Sequence, residues 1–295
     1  MPTSIQANRV VTYALNHKAG ERDEHDRRNE NLMQNRPEQI YNGQMSKAAK
    51  KKIKTIVPNL ALLEAARQTR NGKTKKLGKK SVMERLKTKK PVLSFITLTL
   101  ASEQQHPDNQ IKRDCLQPFL ASLKRKCNMY RYLWVAELQK NGNIHFHIVT
   151  PSYIRKEEIR SLWNYHQNSL GYVDRSRYAS PPSTQIEACR SIQSTGLYIS
   201  KYLTKEPEIP EQNEQTQAKE QRKIEGRLWG CDEETEKLTA ITIEDGQSVQ
   251  VIAEAIRAST FVMEDKYFSL YYYDISKSQN VIDFVLTMLE RKVLE

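Results

Sequence analysis

Residues 142–149 read Gly-Asn-Ile-His-Phe-His-Ile-Val, and no other stretch limits the fold so tightly. Polar residues alternating with aromatic and β-branched ones mark a strand. Successive strand side chains point to opposite faces. His145 and His147 therefore share one face, while Ile144, Phe146 and Ile148 point into a core on the other. The sheet containing this strand needs one apolar face and one open polar face. Two imidazoles side by side on the open face are a ready pair of metal ligands. A His-x-His pair also occurs as ordinary packing, so the flanking segments decide its use.

Those segments alternate between the two periods. Residues 92–100, Val-Leu-Ser-Phe-Ile-Thr-Leu-Thr-Leu, are the strongest strand signal in the chain. Residues 115–127 place Leu116, Phe119, Leu120 and Leu123 on one helical stripe with lysines opposite. Residues 130–139 form a second strand, Asn141-Gly142 a hairpin turn, and residues 144–150 a third strand. A helix over 156–168 buries Ile159, Leu162 and Trp163 and stops before Gly171. Residues 172–178 add a strand, and Pro181-Pro182 is a break. Residues 186–206 read as a helix bent at Gly196 and ended by Pro207. This order predicts an antiparallel α+β sandwich with helices on one sheet face and the site on the other.

The remainder divides by composition. Residues 1–43 are polar and expected to be disordered. Residues 44–90 form a basic arm with one short helix starting near Asn59 and stopped at Asn71-Gly72. Residues 91–207 form the central domain. Residues 208–295 are a linker and C-terminal extension, with β-like 240–243, an aromatic strand at 267–273 and a closing helix at 278–294 whose apolar side carries Val281, Val285, Leu289 and Val293.

Glu137 lies on the strand before the histidines, and the hairpin loop decides whether it can join them. With Asn141-Gly142 alone in the loop, Glu137 faces Phe146, on the wrong side. With Asn141-Gly142-Asn143 as the loop and Asn143 left-handed, it faces His147. One carboxylate with two imidazoles suits Mg²⁺ or Mn²⁺, with Zn²⁺ an adventitious competitor.

The net charge of +12 is concentrated in one block. Residues 44–90 hold sixteen Lys or Arg against two acids, a balance of +14, so the rest of the chain sums to −2. Such density binds polyanions, with nucleic acid the default, and Lys50, Lys51, Lys52, Lys54, Lys73, Lys75, Lys76, Lys79 and Lys80 are its candidate contacts. Four scattered cysteines without a Cys-x-x-Cys pair imply reduced thiols in a cytoplasm. No apolar run reaches the roughly 18 residues of a membrane span, and no signal peptide is expected.

Residues 197–205 carry a doubled unit. On a helix Tyr198 and Tyr202 share a face, and so do Lys201 and Lys205. Tyrosines on a helix commonly pack, but a phenol can also attack a phosphodiester if cations stabilise the developing charge.

Together, Phe95-Ile96-Thr97-Leu98-Thr99, His145-Phe146-His147 and Tyr198-Ile199-Ser200-Lys201-Tyr202-Leu203-Thr204-Lys205 resemble the motifs of the HUH endonucleases, specifically the two-tyrosine rolling-circle replication initiators of small single-stranded DNA phages and plasmids. The likeness covers about residues 91–205. Tyrosines after histidines is the order of initiators and related transposases, the reverse of conjugative relaxases. The resemblance implies a five-stranded antiparallel sheet of ferredoxin or RNA-recognition type. It also implies metal ligation by His145, His147 and Glu137, nucleophilic attack by Tyr198 or Tyr202 with help from Lys201 and Lys205, and a 5′-phosphotyrosine intermediate. The implied partners are single-stranded or hairpin origin DNA, a host helicase and a DNA polymerase, since no Gly-x-x-x-x-Gly-Lys-Ser/Thr run is present for unwinding. The alternatives are a two-tyrosine transposase, and a non-catalytic DNA-binding or autoregulatory protein on the same fold.

Overall fold

A computed structural model describes residues 3–7, 9–13, 45–71, 93–174, 180–189, 222–243, 249–257, 259–264, 268–273 and 275–294. The elements begin with β1 (Thr3–Gln6), β2 (Arg9–Tyr13), α1 (Lys47–Asn71) and β3 (Leu93–Leu98). Helix α2 runs through Asp108–Ile111, a π-helical stretch Lys112–Leu116 and Gln117–Cys127. Next come β4 (Leu133–Leu138), β5 (Ile144–Thr150), α3 (Lys156–Gln167), β6 (Thr184–Cys189), β7 (Trp229–Cys231) and α4 (Glu233–Glu236). The chain closes with β8 (Ile241–Ile243), α5 (Val249–Arg257), β9 (Ser259–Glu264), β10 (Phe268–Tyr273) and α6 (Gln279–Leu294).

These strands form two antiparallel sheets. The first has the order β6-β3-β5-β4-β7 and places the histidine strand in its middle. Ile96, Leu98, Trp134, Ala136, Ile144, Phe146 and Ile148 face α2 and α3, which contribute Leu116, Phe119, Leu123, Ile159 and Trp163 to the same buried cluster. The expectation of an α+β fold with an antiparallel five-stranded sheet therefore holds, with α2 and α3 on this face. Helix α2 ends at Asn128, whose φ of 52° is the left-handed cap that Asn tolerates. Trp163 donates its indole N–H to the Thr99 carbonyl at 2.7 Å, pinning α3 to the end of β3.

The second sheet, β8-β1-β2-β10-β9, joins both ends of the chain. This corrects the expectation of disorder throughout residues 1–43: residues 3–6 and 9–13 are strands. Thr3-Ser4-Ile5-Gln6 is too polar to declare itself locally and is held by partners more than 200 residues away, Ile5 lying opposite Ile241.

Helix α1 departs furthest from expectation. Instead of starting near Asn59, it runs from Lys47 with Pro58 inside it. An internal proline costs about 3 kcal/mol in an isolated helix. Here Ile53, Ile56, Val57, Leu60, Ala61, Leu62, Ala65 and Ala66 are all buried, so α1 is a core helix, and its packing offsets that cost. Asn59 is itself fully buried, not a cap: its Oδ1 accepts from Ala7 N–H at 3.0 Å and its Nδ2 donates to Leu238 O at 3.1 Å.

Two further differences concern the first sheet. Residues 184–189, read as the start of a helix, are its edge strand, with each residue of β3 paired to one of them. Ladder pairing has overridden the helical spacing around Ile186. The opposite edge, β7, comes from residues 229–231, beyond the boundary expected at 207. Of the proposed strand at 172–178, Tyr172 is instead a buried anchor whose hydroxyl accepts from the backbone N–H groups of Gln105 and His106; residues 175–178 lie outside the described residues.

Candidate metal centre

The open face of the first sheet changes character along its strands. Leu93, Phe95, Leu133, Val135 and Val149 share one apolar cluster with α1, α6 and the second sheet. One step further along β3, β4 and β5, the same face carries Thr97, Glu137, His147 and His145. The second sheet and its helices thus cover this face up to the edge of the polar group. Phe95 marks the border, stacked on the His147 ring with centroids 5.1 Å apart.

The hairpin sets the geometry. Gln139 N–H donates to Asn143 O at 2.8 Å, and Gly142 N–H donates to Gln139 O at 2.9 Å. The loop is therefore Lys140-Asn141-Gly142, and Gly142 takes the left-handed position with φ +85°. Three residues is the longer loop that Glu137 requires, but the loop begins one residue earlier than expected and Asn143 is not left-handed. Glu137 consequently lies opposite His145, not His147. The shift of pairing partner is two residues, so Glu137 stays on the histidine face.

All three side chains converge. Glu137 Oε2 lies 2.9 Å from His147 Nε2 and 3.2 Å from His145 Nε2, and the ring centroids are 4.5 Å apart. The three donor atoms lie within 4.8 Å of one another. Two imidazole nitrogens and a carboxylate oxygen this close together are compatible with a shared divalent cation. The side chains are only 5–15% exposed. Burial opposes charge on Glu137, yet hydrogen bonds from His145 and His147 hold its carboxyl well below the usual carboxylate range.

Thr97 completes the arrangement. Its Oγ1 lies 3.1 Å from His147 Nδ1. A hydroxyl both donates and accepts, so Thr97 serves either tautomer: it accepts from Nδ1–H when Nε2 binds a cation, and donates to Nδ1 when Nε2–H points at Glu137. His145 Nδ1 is buried and has no hydrogen-bond partner among the described residues. Thr97 was not singled out from sequence as a site residue, although its place two residues after Phe95 on a strand put it on this face.

A strap holds the hairpin from outside. Arg222 donates to Gly142 O at 2.8 Å and to both carboxylate oxygens of Asp108. Burial works against the Asp108 charge, but Arg222 and Gln104 hold this carboxyl below its ordinary range. The Asn143 side chain bonds Gln104 N–H and Ser102 O, while Gln104 Oε1 accepts from Ile144 N–H at 2.7 Å. Sequence reasoning placed Asn143 in the loop but not in these bonds, and it missed Arg222 because no local pattern ties residue 222 to residue 142.

The remaining candidates divide. On α1, Lys51 is exposed and Lys50, Lys52 and Lys54 are half-buried. Lys52 pairs with Glu236 at 2.7 Å and lies over the Trp229 ring at 5.6 Å, tying α1 to α4 and β7. Tyr198, Lys201, Tyr202 and Lys205, together with Lys73, Lys75, Lys76, Lys79 and Lys80, lie outside the described residues. Among the described residues no helix is long and apolar enough to cross a membrane.

The family described as Replication-associated protein ORF2/G2P has a sequence model that matches residues 93–207, from the first residue of β3 to just past the paired tyrosines. Comparison with curated proteins and with solved structures gives no match.

Proposed function

We propose that this chain initiates rolling-circle replication by nicking and rejoining single-stranded or hairpin origin DNA through a tyrosine. The observation that carries the reading is the convergence of Glu137 Oε2 with His145 Nε2 and His147 Nε2 on the open face of a central strand. The match to a family of replication-associated proteins, over residues that include both tyrosines, supports it.

Glu137, His145 and His147 are the residues that would hold Mg²⁺ or Mn²⁺, which when bound polarises a phosphate oxygen as a Lewis acid. The phenol oxygen of Tyr198 or Tyr202 attacks the phosphorus. A P–O bond to tyrosine forms, the P–O3′ bond breaks, and the 3′ oxygen leaves as a hydroxyl after taking up a proton. Lys201 and Lys205 neutralise phosphate charge or assist that proton transfer. One phosphodiester replaces another, so rejoining needs no energy source. The free 3′-hydroxyl primes a polymerase while a separate helicase unwinds, and the second tyrosine attacks the regenerated junction to release a circle. Lys50, Lys51, Lys54, Lys73, Lys75, Lys76, Lys79 and Lys80 hold the strand electrostatically, while Lys52 is engaged by Glu236.

Incubation with labelled single-stranded DNA and Mn²⁺, followed by a denaturing gel, tests the reading. A covalent protein–DNA adduct lost in Tyr198→Phe/Tyr202→Phe, and also in His145→Ala/His147→Ala, is the expected result. No adduct from origin-containing single strands of the parent replicon would overturn it.

A further inference from the structure

On the helix side of the first sheet, a cleft of about 660 Å³ opens between α2 and the edge formed by β4 and β7. Its volume is that of a small-ligand site. Four cations line it, Lys112, Arg113, Lys124 and Arg227, and no Asp or Glu does. Lys124 and Arg227 are exposed and make no salt bridge among the described residues. Arg113 is exposed and pairs with its half-buried neighbour Asp114 through Nε and Nη2, at 2.6 and 2.8 Å, an exposed pair that a phosphate can compete for. Lys112 is 6% exposed and donates to the Glu225 carbonyl, so it belongs to the wall rather than to the free charge.

Aromatic surface lies beneath this charge. Tyr132 lines the cleft half-buried, and Trp134 is buried in its floor with β7 running against its ring. Gly230 is what permits that approach, because a Cβ there would come within 2.7 Å of the indole nitrogen. No side chain from residue 230 projects into the cleft. Cations placed around aromatic rings are the chemistry that grips a phosphate while a base packs beside it.

We propose that this cleft binds a nucleotide unit, phosphate against Arg113, Lys124 and Arg227 and base against Tyr132, over a floor that contains the buried Trp134. The chain then contacts nucleic acid on the helix side of the sheet as well as on the side that carries Glu137, His145 and His147. The inference stands apart from the nicking reaction, since the two sites lie on opposite faces. A stretch of single strand and a free nucleotide share this chemistry, and the experiment separates them.

The full chain in EDTA is titrated against a fluorescent oligothymidylate by anisotropy at several salt concentrations, and against dTMP by thermal shift. Arg113→Gln/Lys124→Gln/Arg227→Gln is compared with Arg155→Gln/Lys156→Gln/Arg291→Gln, which removes equal charge from exposed positions elsewhere. If a strand occupies the cleft, the first variant loses at least tenfold in oligonucleotide affinity and its log–log salt slope falls by about 2, while the second changes little. If a free nucleotide is the occupant, only the dTMP shift is lost. Equal behaviour of the two variants in both assays overturns the proposal. His145→Ala/His147→Ala should retain wild-type cleft binding whether or not the protein nicks DNA.

Discussion

Glu137 stands directly opposite His145 across the β4–β5 ladder, and a three-residue loop is what puts it there. The parity of the loop decides the face on which the carboxylate emerges. Deleting Asn141 shortens the loop to two residues and should turn Glu137 toward the α2–α3 core. The expected outcome is loss of Mn²⁺ binding by calorimetry with a cooperative thermal transition retained at lower temperature. Persistence of full metal affinity would show that the loop does not set the register. Gly142→Ala, which meets no neighbour but must adopt φ +85°, should cost only about 1 kcal/mol and leave the metal site intact.

Glu137→Gln keeps the shape of the side chain and removes its charge. Metal affinity should fall by at least about tenfold. The metal-free protein carries a second signature. The folded-state pKa of Glu137 is depressed, so its ionised form stabilises the fold above the ordinary value of 4.5, and that contribution is lost as pH falls below it. Urea midpoints of wild type and Glu137→Gln in EDTA should therefore differ at neutral pH and converge on acidification. Curves that run parallel down to acid pH would remove the hydrogen bonds to His145 and His147 as the cause.

Thr97→Val deletes the hydroxyl that lies 3.1 Å from His147 Nδ1 while conserving volume. Orienting partners of this kind are worth roughly 10–100-fold in metal affinity. Mn²⁺ binding should weaken within that range, and stability should change by about 1 kcal/mol or less. Thr97→Ser, which restores the hydroxyl, should recover most of the affinity. Equal binding by Val and Ser variants would mean that Phe95 stacking alone orients the ring.

The first sheet was largely legible because its signals are local: alternation in residues 93–98, 133–138 and 144–150 fixes faces, and Asn141-Gly142 fixes a hairpin. The loop boundary was misplaced by one residue because Gly142 and Asn143 can both take left-handed backbone, and only the observed ladder decides between them. The second sheet was illegible for a different reason. Residues 241–243 and 268–273 were recognisable as strands and 279–294 as a helix, but nothing local told them to close on residues 3–13. In α1 the lysine density masked a core helix, because Lys50, Lys52 and Lys54 keep their charged ends partly exposed while Ile53, Ile56 and Val57 are buried.

Asn59 is where those distant segments meet, and its removal measures how much the second sheet depends on the join. The side chain accepts from Ala7 at the end of β1 and donates to Leu238 and Thr239 just before β8, all from the middle of a buried helix. Asn59→Ala would leave the Ala7 N–H and the Leu238 carbonyl without this partner in a dry interior, at about 1–3 kcal/mol for each unsatisfied group. A loss of roughly 2–5 kcal/mol is expected in chemical denaturation. Hydrogen exchange should speed up first in β1 and β8, while β5, on the far side of the shared core, keeps its protection. Uniform acceleration across both sheets would mean instead that they unfold as one cooperative unit, with Asn59 a general core residue rather than the join between α1 and the ends of the chain.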